Sequence, residues 1–150
     1  GARLIINLEK LYLSLKKLDL HDSNVDNYYS LSHQLGIVPK NLNQLQNKAF
    51  GIECNYDELN GIDFKKGCYV GQENTARMKL KNKLRRQLMS VKTEKNVKIG
   101  DEIKYNDSVI GKILIDKPYP FAIIKLFDPE FSIFKDKKLT INNNDIKIIL

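Results

Sequence analysis

The spacing of apolar residues divides the chain into a helical first part and a strand-rich second part. Leu4, Leu8, Leu11, Leu15 and Leu18 recur at helical intervals, yet Arg3–Asn7 also reads as a short buried strand. The expectation is a strand first, then irregular or helical structure to about residue 20. Asp22 to Leu35 reads more clearly as a helix, with Val25, Tyr28, Tyr29, Ser32 and Leu35 on one face. Asp22 or Ser23 can cap its first turn, and Gly36 suits the left-handed position just past its end. Pro39 stops any continuation and opens a second helix through Leu42, Leu45 and Ala49. Phe50–Phe64, with Gly51, Asn55, Asn60 and Gly61, predicts loops and short turns. A further helix is expected from Gln72 to about Lys81, with Glu73 in its first turn where the dipole favours an acid.

After Leu84 short apolar stretches alternate with Gly, Asn, Asp and Pro. Strands are predicted at Gln87–Lys92, Asp101–Tyr105, Ser108–Ile115, Phe121–Phe127, Lys138–Ile141 and Asp145–Leu150, with a hairpin turn at Asn106-Asp107. Six short strands with close turns read as a small antiparallel barrel or sandwich. The fold class is therefore α+β, with a boundary near Lys83 separating residues 1–83 from a C-terminal β-barrel at residues 84–150.

Composition narrows the possibilities. With 150 residues, 42% hydrophobic and 29% charged, the chain can bury one core or two small ones. No apolar run approaches the roughly 20 residues needed to span a bilayer, so no membrane association is expected. Cys54 and Cys68 do not form a CxxC pair, and with two distant histidines they are a poor basis for a metal site; none is expected. The first residue is Gly1, so a processed product or a fragment is expected. The net charge of +7 comes from a chain rich in Lys, Asn and Ile, residues with A/T-rich codons, and charge alone does not argue for nucleic acid. Arg77, Lys79, Lys81, Lys83, Arg85 and Arg86 form a basic run without an acid. If extended, it places Lys79, Lys81, Lys83 and Arg85 on one face, for an RNA backbone or a polyglutamyl tail. The plainer reading is a solvated face. Phe121 and Phe127 could stack on bases, but strand alternation favours the core. His33 lies where a cation favours the helix dipole, His21 reads as a surface loop residue, and neither is assigned a catalytic role. Cys54 reads as a packing residue. Glu53 and Asn55 either support the following loop or hold the turn itself.

The concentration of chemistry is Lys66–Glu73, KGCYVGQE. Eight residues hold a cation, two glycines, a thiol, a phenol, an amide and a carboxylate. Gly67 and Gly71 allow close backbone approach by a ligand, and Gly71 stands where a helix begins, where free N–H groups receive anions. Gln72 and Glu73 supply hydrogen bonds suited to an amide-rich heterocycle, and Tyr69 an aromatic face. Cys68, before a helix N-terminus and near Lys66, is placed for a lowered pKa and hence nucleophilic, redox or metal-transfer chemistry. The alternative is a small buried apolar side chain.

The segment matches the K-G-C-Y-x-G-Q-E signature of the YgfZ family at every specified position. The flanks resemble the family in order: Leu35-Gly36-Ile37-Val38-Pro39, Ile52-Glu53-Cys54-Asn55, Gly61-Ile62, Ala76-Arg77-Met78 and the Lys83–Leu88 passage. The family shares a superfamily with the glycine-cleavage T-protein, an aminomethyltransferase. The resemblance implies that residues 1–83 are the C-terminal part of an aminomethyltransferase-like folate-binding domain, followed by the family's barrel. It implies tetrahydrofolate as ligand, in a pocket shared with an N-terminal part outside these residues. It also implies a role in iron–sulfur cluster assembly or repair, linked to tRNA modification through client enzymes. The implied partners are folate and iron–sulfur client or assembly proteins. The implied location is the cytoplasm of a bacterium or the mitochondrial matrix of a eukaryote. Lys66, Gly67, Cys68, Tyr69, Gly71, Gln72 and Glu73 carry the signature, with Arg77 following on the helix. The inherited fold does not by itself imply catalysis, so a one-carbon transferase is a second reading and a basic RNA-binding module a third.

Overall fold

The computed structural model describes residues 5–67, 70, 72–80 and 84–149. Among these residues four α-helices, two 3₁₀ turns and six strands follow in the order α1 (Leu8–Lys17), α2 (Val25–Gln34), turns Leu42–Leu45 and Gly51–Cys54, α3 (Gln72–Leu80), β1 (Arg86–Thr93), β2 (Glu102–Tyr105), β3 (Ser108–Ile115), β4 (Phe121–Lys125), α4 (Phe131–Phe134), β5 (Leu139–Ile141) and β6 (Asn144–Ile148). The fold is α+β, and all six strands close into one antiparallel barrel in the order β1-β4-β3-β2-β5-β6, with β6 returning to β1.

Closure follows from turn chemistry and register. Asn106-Asp107 and Asn142-Asn143 both lie in the left-handed region, with φ of 46° and 65° and of 48° and 62°. Two such residues make the tight hairpin turn whose twist matches the flanking strands, and Asn and Asp tolerate it better than most side chains. Each turn leads directly into a paired strand, at Tyr105↔Ser108 and Ile141↔Asn144. Register shifts between Ile103 and Lys104 and between Ile113 and Ile115 bend the sheet toward closure. Gly111 is needed where β3 crosses β4, because a Cβ there would lie 2.8 Å from the Ile123 carbonyl oxygen.

Alternating side chains make two cores. Met89, Val91, Ile103, Ile110, Ile113, Ala122, Ile124, Leu139, Ile141 and Ile146 fill the barrel, joined by Phe134 from α4. Leu88, Leu114, Ile115, Phe121 and Ile123 form an outer cluster with Leu45 and Cys54, and Val38 and Ala49 pack against it. The segment from Val38 to Cys54 thus covers the outside of β1, β3 and β4, which explains why Leu88 to Val91 are buried without a break. Each fully buried aliphatic or phenyl side chain contributes roughly 1.5–3 kcal/mol through the hydrophobic effect.

Several expectations are corrected. Residues 5–7 form no strand; Asn7 instead caps α1, its side-chain oxygen accepting the Glu9 N–H at 2.9 Å, and residues 1–4 lie outside those described. The leucine periodicity prevails over the short apolar run. The cap of α2 is Asn24, which accepts the Asp26 N–H, rather than Asp22 or Ser23. Gly36 does take the left-handed position, at φ 67°. The Gly36 and Ile37 N–H groups close the helix end on the His33 and Ser32 carbonyls. The helix expected after Pro39 shrinks to the turn Leu42–Leu45, because Asn41 and Asn47 on either side take left-handed φ. Phe127 lies beyond the end of β4 and is 53% exposed, while Phe121 is buried in the outer cluster.

His33 is not a solvated cation at a helix end. It is buried where α2 meets the barrel, its Nε2 2.9 Å from the Pro120 carbonyl oxygen, stacked on Tyr119 and edge-on to Phe121. Burial lowers its pKa below the ordinary 6.5, against the opposing pull of the Pro120 and Val91 carbonyls. The folded state therefore resists a proton that the unfolded chain accepts, so stability is lost as pH falls through 6.5 toward the lowered value. Urea midpoints measured from pH 8 to pH 5 should fall over this window, and His33→Gln should flatten that part of the profile. An unchanged slope in the variant would show that His33 titrates freely.

Candidate functional site

The predicted helix that follows the signature is present as α3, with Gln72 at its start and Glu73 in its first turn. Lys66 and Gly67 are exposed just before it, and the space beside Gly67 is open. Gln72 is half-buried, while Glu73 and Arg77 are exposed. Cys68, Tyr69 and Gly71 lie outside the described residues. Among the described residues no cluster of three or more His, Cys, Asp or Glu could hold a metal, and no helix is long and apolar enough to cross a membrane.

Two contacts of Lys79 help to fix α3. Lys79 pairs with Asp57 and lies over the Phe64 ring, its Nζ 5.6 Å from the centroid. One end of the predicted basic run is therefore paired. The run is not an extended face either, since Arg77 to Leu80 are helical; Lys81 to Lys83 lie outside the described residues. At its other end Arg86 is also engaged.

That engagement is an ion pair with one buried partner. Glu53 is buried in the Gly51–Cys54 turn, its side chain 4% exposed. Its Oε1 accepts from Arg86 Nε at 2.7 Å, and its Oε2 from the Phe50 N–H at 2.9 Å and from Arg86 Nη2 at 3.3 Å. The second Arg86 bond from Nη2 reaches the Lys48 carbonyl at 3.2 Å. Next to it, Asn55 takes a left-handed φ of 65° and is buried. Its Nδ2 donates to the Leu88 and Gly36 carbonyls at 3.0 and 3.3 Å, and its Oδ1 accepts from Gln87 Nε2 at 2.8 Å. One turn therefore grips three successive residues of β1 and the end of α2. These bonds assign Glu53 and Asn55 to holding the turn against β1. The signals in the sequence are a polar pair alternating with Ile52 and Cys54 and the resemblance of Ile52-Glu53-Cys54-Asn55 to the family.

Cys54 packs in the outer cluster as expected. Burial, reinforced by the neighbouring Glu53 carboxylate and only partly offset by Arg86, pushes its thiol up to about 11. It is held as a neutral thiol and is not a nucleophile at neutral pH.

No protein-family profile matches the chain. It is 32% identical over 107 residues, 68% of its length, to the mitochondrial iron-sulfur cluster assembly factor IBA57 homolog of Dictyostelium discoideum, covering 26% of that protein. It is 31% identical over 131 residues, 87% of its length, to the corresponding homolog of Neurospora crassa, covering 27% of it. It is 37% identical over 98 residues, 64% of its length, to the tRNA-modifying protein YgfZ of Aliivibrio fischeri, covering 30% of it. The chain belongs to the YgfZ/IBA57 family. It spans about a quarter of the length of the first two of these relatives. That coverage fits the C-terminal portion of a family member that the signature resemblance implies.

The residues at hand can be compared with the folate that this family implies. The chemistry of the donors suits it: an ammonium at Lys66, an amide at Gln72 and a carboxylate at Glu73. The enclosure does not. A heterocycle needs a concave, mostly buried site, whereas the described signature residues, Gln72 apart, are exposed. The main clefts among the described residues are lined by other segments. These residues supply at most one wall of a folate pocket.

Two outcomes follow from this geometry. Arg86→Ala leaves the buried Glu53 carboxylate without its cation and should cost about 3–5 kcal/mol, read as a lower urea midpoint. A loss under about 1 kcal/mol would match an ordinary exposed pair and refute the clamp. Alkylation of the folded protein at pH 7.5, followed by peptide mass mapping, should leave Cys54 unlabelled, and Cys54 should react only on unfolding.

Proposed function

We propose that the protein containing this chain is a tetrahydrofolate-binding accessory factor in the assembly or repair of iron–sulfur enzymes. The single observation carrying this reading is the joint similarity to IBA57 homologs and to YgfZ in a chain that holds the full KGCYVGQE signature. In this reading Cys68 is the reactive group, handling a cluster, a metal or a redox partner transiently. Gly67 and Gly71 shape the loop. Lys66, Tyr69, Gln72 and Glu73 orient the ligand or brace Cys68, and Arg77 flanks them on α3. Tetrahydrofolate is held only when protein beyond these 150 residues completes the pocket. The partners are iron–sulfur client or assembly proteins, with tRNA modification affected through such clients. The working compartment is the cytoplasm of a bacterium or the mitochondrial matrix of a eukaryote.

What favours an accessory role is the similarity to proteins named as iron-sulfur cluster assembly factors. The test is complementation of a strain lacking its family member with the whole protein. Cys68→Ala should lower iron–sulfur enzyme activity at least about tenfold, the loss expected when a reacting group is removed. Full restoration by the Cys68→Ala protein would remove the proposed role of that thiol. Turnover of a tetrahydrofolate adduct by the purified whole protein would assign it to the transferases instead.

A further inference from the structure

The outer face of the barrel at β3 and β4 carries a cluster of cations beside an exposed aromatic ring. Two open clefts of about 560 and 480 Å³ meet there and share Arg86 and Lys125 as walls. Both lie within the roughly 300–1,000 Å³ typical of ligand clefts. Lys112 on β3 stands opposite Ile123 on β4, and Lys125 follows Ile123 by two residues. The two lysines therefore lie on one face, along a diagonal that long side chains can span. Both are exposed above a floor of Leu114 and Ile123. Lys48 and Arg85 add to the cationic rim, against Glu102 and Asp128. Arg86 is already neutralised by Glu53, but among the described residues no ion pair engages the other four cations.

The ring is Phe127, which lines the larger of these two clefts two residues beyond the end of β4. Among the described residues no other ring and no cation stacks on it. Its backbone is tied on both sides. The Leu126 N–H donates to the Arg85 carbonyl at 2.9 Å, and the Phe131 N–H to the Leu126 carbonyl at 3.1 Å. A phenyl ring left 53% exposed on a tied backbone forgoes the burial that Phe121 and Phe134 obtain.

We infer that this face binds a single-stranded nucleic acid, with one base stacked on Phe127 and the adjoining phosphates running over Lys125 and Lys112. A chain that repeats a negative charge and carries a flat, unpaired base at each step matches both the cations and the ring. An acidic polypeptide would pair with the lysines but need offer no flat face to Phe127. A duplex keeps its bases stacked within itself. The basic run Arg77–Arg86 is not the basis of this reading, since Lys79 is paired with Asp57 and Arg86 with Glu53. The inference uses neither the signature nor the folate and iron–sulfur reading, so either can fail without the other.

Fluorescence anisotropy of a labelled single-stranded oligouridylate of about 12 nucleotides, titrated with the purified whole protein, tests it. At low salt the dissociation constant should be about 10⁻⁴ M or tighter. Phe127→Leu, which keeps an apolar side chain but removes the flat face, should weaken binding at least about fivefold, and Phe127→Tyr should retain the affinity. Lys112→Gln with Lys125→Gln should reduce the slope of log affinity against log salt by about 0.7 for each cation removed. Lys137→Gln with Lys147→Gln removes the same charge beside β5 and β6 and should leave affinity and slope as in the unmodified protein. All five positions are exposed, so urea midpoints should be unchanged in every variant. Weaker binding at low salt, Leu serving as well as Phe at position 127, an unchanged salt slope, or a control as damaging as the Lys112 and Lys125 pair overturns the inference. So does equal competition by a polyglutamate of the same charge, which would make an acidic polypeptide the partner.

Discussion

The buried carboxylate of Glu53 sets the terms on which the rest of the molecule is assembled. A charge taken out of water is tolerated only with a cation and hydrogen bonds in good geometry. Arg86 and the Phe50 N–H meet that demand. Because Arg86 opens β1, meeting it fixes where the first barrel strand begins. Asn55 extends the grip to Gln87 and Leu88. β1 pairs with both β4 and β6, and its pairing with β6 joins the first barrel strand to the last. The same strand contributes Leu88 outward and Met89 and Val91 inward, joining the two apolar cores. The polar turn and the hydrophobic packing are thus one cooperative unit, in which the loss of either leaves a buried group unsatisfied.

This arrangement separates two kinds of residue within what reads as a single stretch of family-like sequence. Glu53 and Asn55 are spent on architecture. Lys66, Glu73 and Arg77 are exposed and carry none of that load. α3, which bears the end of the signature, is fastened by Asp57, Lys79 and Phe64 to the segment just after the clamp. A rigid barrel therefore braces the turn, the turn leads to the fastening, and the fastening holds a helix on which Glu73 and Arg77 are exposed. Such a design suits a surface completed by further protein better than a self-sufficient pocket.

The titratable groups follow the same division. His33 and Cys54 sit in apolar surroundings that disfavour their charged forms. Both are packing residues that happen to carry ionisable atoms. His33 joins α2 to the strand connection at Pro120, next to the Tyr119 hydroxyl, which donates to Asp26 at the start of the same helix. The helix is thus pinned at both ends by contacts to a single short segment, and its other side remains open.

Much of the fold is legible in the sequence where local chemistry decides. The six strands, the Asn106-Asp107 turn, the left-handed Gly36 and the start of α3 all depend on neighbouring residues, through alternation, twist-compatible turns and helix ends. The signature likewise names its family from eight consecutive residues. Other features escape a linear reading because their causes are distant in the chain. Glu53 and Arg86 are 33 residues apart, and His33 and Pro120 are 87. No periodicity signals that a buried acid will find its cation, or that a histidine at a helix end will be roofed by a strand connection. The exposure of Phe127 was likewise settled by where β4 ends in the closed barrel. Local interactions wrote the list of elements into the sequence; only the tertiary structure decided which polar groups would be buried and paired, because desolvation exists only once the chain has closed around them.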